Sequence, residues 1–168
     1  MYTGTPVKLS AGTLDVATNG ASTVVGVAQS FAWIDKTTAQ PQYSKYIPAN
    51  TSQKNSGYLE GFTQPFALVD DNPMGTWICK TDASIGAAFI GELARVTNAG
   101  AGSAVTGRAA CEVDQTGTAV SAGNALFRIV DIYRIGDVTS AGALDNGFES
   151  TLMTSTLLEV TFANHIYK

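Results

Sequence analysis

The chain has 168 residues, with ten Lys or Arg against fourteen Asp or Glu and a formal charge of −4 at pH 7. One domain of this length buries enough surface to build a core without disulfide or metal staples. The basic residues Lys8, Lys36, Lys45, Lys54, Lys80, Arg95, Arg108, Arg128, Arg134 and Lys168 are scattered, which excludes a stripe that tracks a phosphate backbone.

No apolar run reaches the length of a membrane span, and the residues after Met1 do not open like a signal peptide. The expectation is a protein made in the cytoplasm, with no nucleic-acid or membrane partner. Charged residues are only 14% of the chain, where about 25% is usual. A surface poor in charge and rich in Gly and Ala loses little hydration when it lies against another protein.

Taken in order, the chain opens with a short arm, residues 1–8. From Val24 to Asp35 the residues alternate with period two. Val25, Val27, Phe31 and Trp33 supply the bulk on one face, while Val24, Gly26, Ala28, Ser30 and Ala32 are small on the other. The small face admits a second layer or a neighbouring chain at close range. Residues 36–61, with Tyr43, Tyr46, Pro48 and Tyr58 among polar residues, read as a long excursion of the kind that is usually functional or tied down by a partner. Phe66–Val69 and Thr76–Lys80 flank Asp70-Asp71-Asn72-Pro73-Met74-Gly75, a pattern that predicts a hairpin.

Residues 84–94 contain two glycines, each costing about 1 kcal/mol relative to Ala in a helix, so a loop or single turn is expected. Residues 98–103 and 117–124 read as surface connections. In Ala110–Asp114, Cys111 and Val113 share one face. Leu126–Ile135 is a longer strand, and in the last strand Leu158, Val160, Phe162 and Ile166 alternate with Glu159, Thr161, Ala163 and His165. The sum is an all-β chain: a single-domain barrel or sandwich of about eight strands, with a short N-terminal arm and one long excursion.

Chemistry is sparse. His165 is the sole histidine, and its neighbours Asn164, Ile166 and Tyr167 supply no triad. Cys79 and Cys111, each in a strand-like run, read as two buried thiols ahead of a disulfide, a pairing that sequence alone does not decide. Together with His165 they are too few for a structural zinc site. Asp70-Asp71-Asn72-Pro73 and Asp145-Asn146-Gly147 read as turns, not calcium loops. The Gly-rich stretch 100–107 lacks a Gly-Lys-Ser/Thr ending. No catalytic residue, metal or cofactor is expected.

The order of motifs resembles a family of tailed-phage head decoration (cement) proteins, frequent in marine and cyanobacterial phages. The residues that carry it are Gly4-Thr5-Pro6-Val7-Lys8-Leu9, then Val24 to Asp35, then Pro41-Gln42-Tyr43-Ser44-Lys45-Tyr46-Ile47-Pro48-Ala49. Phe66 to Pro73, Thr76 to Asp82, Phe127-Arg128-Ile129-Val130-Asp131 and Leu158 to His165 follow. Each is short; the ordered set spans most of the chain. Ile47 stands where the family often has Trp, Lys80 where Gln is common, and the segment before Gly4 is very short.

The resemblance implies a non-enzymatic capsid protein on the outer surface of the virion, partnered by the major capsid protein and by itself as a homo-oligomer, expected to be a trimer. Contact candidates on this reading are Tyr2, Pro6 and Lys8 in the arm and Tyr43, Tyr46 and Tyr58 in the excursion. Two rivals are a carbohydrate-binding module of a phage fibre or surface structure and a small hydrolase with a carboxylate pair in a deep polar pocket.

Overall fold

The structure, a computed structural model, describes residues 1–20, 23–35, 38–47, 65–83, 85, 87–114, 120, 122–133, 137–138, 144–145 and 157–167. It is all-β. Among the described residues there are fourteen strand segments and two single turns of 3-10 helix, one of them Ala87–Phe89 in the expected loop.

Five strands form a sheet: β1 (Pro6–Ser10), β2 (Thr13–Val16), β3 (Val24–Ile34), β4 (Pro41–Ser44) and β5 (Phe66–Asp70). Five others close a barrel: β6 (Trp77–Thr81), β7 (Leu93–Thr97), β10 (Glu112–Asp114), β11 (Phe127–Ile132) and β14 (Leu157–Phe162). Two short pairs complete the set, β8 (Gly102–Ser103) with β9 (Arg108–Ala109) and β12 (Asp137–Val138) with β13 (Leu144–Asp145).

The β1–β2 hairpin turns on Ala11 and Gly12, both at positive φ (48° and 80°), the two-residue geometry that matches strand twist. Strand β3 is the axis of the sheet. On one edge it pairs β1 and then β4; on the other it pairs β5, from Val27↔Asp70 to Ala32↔Phe66.

The pairing of β3 with β5 shifts register between Ala28 and Ser30, which makes Gln29 an extra residue, a β-bulge. A bulge inverts the face of every residue beyond it. The expectation that Val27, Phe31 and Trp33 share a face is therefore corrected. Val27 joins the barrel core, whereas Phe31 and Trp33 pack with Val7, Ala28, Ala67 and Val69 in a second cluster.

The barrel core gathers Cys79, Ala94, Val96, Val113, Phe127, Ile129, Ile132, Leu158, Val160 and Phe162. Trp77 packs against Phe162 at 4.7 Å between ring centroids. Closure comes from β10 lying parallel to β6, with Glu112 opposite Lys80 and Val113 opposite Thr81.

Two further expectations are corrected. The strands β5 and β6 do not pair as a hairpin, since β5 belongs to the sheet and β6 to the barrel. The turn chemistry is nonetheless used: Asn72 Oδ1 accepts from Met74 N at 3.0 Å, and Asn72 O accepts from Gly75 N at 3.0 Å. The alternation of the last strand also stops at Phe162. His165 then turns inward (4% exposed) and bridges Val24, while Ile166 is left at the surface.

The two units meet at Val24 and Val27, which the sheet contributes to the barrel core. They meet again at Asn19, whose amide donates to Val96 O at 3.0 Å and accepts from Val96 N at 2.6 Å. Strand β11 pairs β7 only at Leu93 and Ala94, so the Asn19 side chain takes over the next position as a one-residue surrogate strand.

Candidate functional site

The first residues are stitched into the sheet. Between the stretches of β3 edge taken by β1 and β4, Gly4 N donates to Ala28 O at 2.8 Å and Ala28 N donates to Thr5 O at 2.9 Å. Thr3 Oγ1 donates to Gln29 O at 2.8 Å, and Thr3 N to Lys45 O at 2.7 Å. Met1 and Ile47 exchange two backbone bonds, one of them from the terminal ammonium at 3.1 Å. Burial lowers the pKa of that ammonium.

Of the residues singled out from sequence, Tyr2 and Tyr46 come together. They form a backbone bridge and their rings stack at 5.9 Å. Tyr2 presses on Gly102 so closely that a Cβ there would fall 2.4 Å from its ring. Pro6 is fully buried and has no surface to present to a partner. Lys8 is half-buried on β1, opposite Asp15. Tyr43 stands free on β4, 77% exposed. Tyr58 lies outside the described residues.

Tyr43 has neighbours that the sequence did not single out. It sits opposite Ala32, and Ala32 sits opposite Phe66, so the three form one row across β4, β3 and β5. The next row on that face is Ser30 and Leu68. Phe66 is 62% and Leu68 65% exposed, while Ala67 and Val69 between them face the second cluster. Strand β5 thus turns its larger side chains outward and its smaller ones inward. That inversion of size was the available signal. The result is a flat, neutral, apolar face with Asp70 at its end, the kind of patch that marks a contact surface.

A second feature lies where sheet meets barrel. A pocket of about 200 Å³ is lined by Thr3, Gly4, Pro6, Val27, Gln29, Trp77, Ile78, Cys79, Cys111, Phe127 and Val160. Its walls are mainly apolar and carry no carboxylate, unlike the polar pocket a carboxylate-pair hydrolase needs.

Both cysteines open onto this pocket as free thiols. Cys79 Sγ donates to Cys111 O and Cys111 Sγ to Gly4 O, each at 3.6 Å. The thiols polarise each other: hydrogen bonding from Cys79 lowers the pKa of Cys111, and the same contact, helped by burial, raises that of Cys79. Among the described residues, no three His, Cys, Asp or Glu side chains gather as metal ligands. His165 Nδ1 accepts from Tyr167 N at 3.2 Å and its ring packs near Phe162 and Tyr167.

Comparison with family models, with curated proteins and with solved structures finds no match to this chain.

Proposed function

We propose that this chain is a non-enzymatic capsid decoration protein that docks on the outer surface of a tailed-phage head through the Tyr43–Phe66–Leu68 face. The observation that carries the reading is that face. Three large apolar side chains stand more than half exposed on β4 and β5, the strands on either side of β3 in one sheet, in a chain that has few charges to desolvate. The ordered sequence motifs supply the identity of the partner, the major capsid protein. Self-association as a trimer completes the proposal.

The physics is mass action. A protein that binds the expanded shell and not its free subunits stabilises the shell by RT ln(1 + [L]/Kd) per site. An oligomer multiplies weak contacts through effective concentration.

Burying a Phe or Leu side chain contributes roughly 1.5–3 kcal/mol. The double variant Phe66→Asp/Leu68→Asp should therefore bind expanded, undecorated heads about 100-fold more weakly in co-sedimentation. Its thermal midpoint should be unchanged, since both side chains already face solvent. Wild-type affinity in that variant contradicts the assigned face.

A glycan-binding surface is the second reading, favoured by Tyr43 standing as an open aromatic ring on a flat sheet. It requires Tyr43→Ala to abolish signal on a glycan array that the wild-type protein lights up.

A further inference from the structure

The parallel seam that closes the barrel carries the two cysteines side by side. Register pairs of Lys80 with Glu112 and Thr81 with Val113 put Cys79 opposite Cys111, one step earlier on each strand. Adjacent strands lie about 4.8 Å apart, inside the span of about 4.4–6.8 Å that a disulfide bridges between Cα atoms. Both side chains point to the same side, since both line one pocket and Cys79 Sγ reaches Cys111 O. Cys79 is buried and Cys111 half-buried, so Cys111 is the more accessible of two cysteines that share the cavity.

We propose that Cys79 and Cys111 form a peroxide-reactive dithiol, a modification site that oxidation converts into a cross-strand disulfide locking the seam between β6 and β10. This goes beyond the docking proposal and is independent of what the chain binds.

Cys111 is the attacking sulfur. The Cys79 thiol beside it favours its thiolate, and the pocket gives a small oxidant access. The thiolate electron pair attacks one oxygen of hydrogen peroxide and the O–O bond breaks. The departing hydroxide takes a proton from solvent and leaves as water, with Cys111 now a sulfenic acid. The Cys79 sulfur then attacks the Cys111 sulfur and the S–O bond breaks. The hydroxyl leaves with the Cys79 proton as a second water. Two thiols and one peroxide thus give one disulfide and two waters; the sulfurs lose two electrons and the peroxide gains them.

The seam is one of the two shortest in the barrel among the described residues. β6 and β10 share the two paired positions Lys80–Glu112 and Thr81–Val113, whereas β6 and β14 share four. The ion pair across it, Lys80 Nζ to Glu112 Oε1 at 3.2 Å, has a half-exposed lysine and adds little.

The test treats the folded, full-length protein with equimolar hydrogen peroxide, unfolds it in N-ethylmaleimide and weighs it intact. The expected product is lighter by about 2 Da, takes up no maleimide, maps to a Cys79–Cys111 peptide and is restored by a phosphine reductant. In Cys79→Ser, Cys111 should stop at a dimedone-trappable sulfenic acid; in Cys111→Ser, Cys79 should stay reduced. Two maleimides per oxidised wild-type chain, or a disulfide found only between chains on a non-reducing gel, overturns the proposal.

Discussion

Gly26 sits where no other residue fits. A Cβ built on it falls 1.9 Å from the carbonyl oxygen of Asp70, which is backbone and does not swing aside. Gly26→Ala should destabilise the fold by about 3 kcal/mol or more, read as a lower midpoint in urea. A loss below 1 kcal/mol contradicts that close approach. The sequence placed Gly26 among small residues that admit a second layer or a neighbouring chain; the neighbour at Gly26 is the chain's own β5.

Cys111 carries a second residue-scale consequence. Its lowered pKa means that iodoacetamide should alkylate it, in the reduced native protein, with a midpoint below the ordinary thiol range. Cys79, with its raised pKa, should stay protected. The sign for stability differs at the two sulfurs. The Cys79 contribution is complete below the pKa of an unfolded thiol and declines above it. The Cys111 contribution grows as pH rises from its lowered pKa to the ordinary value. Alkylation of both thiols at equal rates contradicts this asymmetry.

Elements were legible where local chemistry decides them and opaque where distant partners do. The period-two runs around 24–34, 66–70, 77–81, 127–132 and 157–162 mark strands because apolar side chains must share a face. The Gln29 bulge leaves no such mark: a single polar residue in an alternating run does not announce that the phase inverts after it. The turn at Asp70–Gly75 was readable from Asn72, Pro73 and Gly75, but whether its flanking strands pair depends on β3 and β14, far away in sequence.

The Asn19 clamp belongs to the same class, since nothing around Asn19 points to Val96. Asn19→Ala strips two hydrogen bonds from the buried Val96 backbone and should cost about 2 kcal/mol. Hydrogen exchange should rise first at β7; unchanged protection there contradicts the clamp. The proposed disulfide acts in the opposite direction. It closes a separation of 32 residues and should add roughly 3–4 kcal/mol through the unfolded chain, visible as a higher urea midpoint after oxidation.

At the scale of the molecule, patterning told most. Period-two alternation punctuated by turn residues led to an all-β chain, and the structure is one. The proposed contact face was half legible: Tyr43 was picked as an aromatic in a polar stretch, whereas Phe66 and Leu68 were read only as part of a strand flanking the turn at Asp70–Gly75. Exposing them has a cost in solubility that the proposed docking would remove.

The most direct test of the central claim is cryo-EM of expanded, undecorated heads, built from the major capsid protein of the same phage and mixed with the purified chain. Ordered density at symmetry-related positions, with the Tyr43–Phe66–Leu68 face against the shell, is the expected result. Bare shells at saturating protein contradict the decoration proposal.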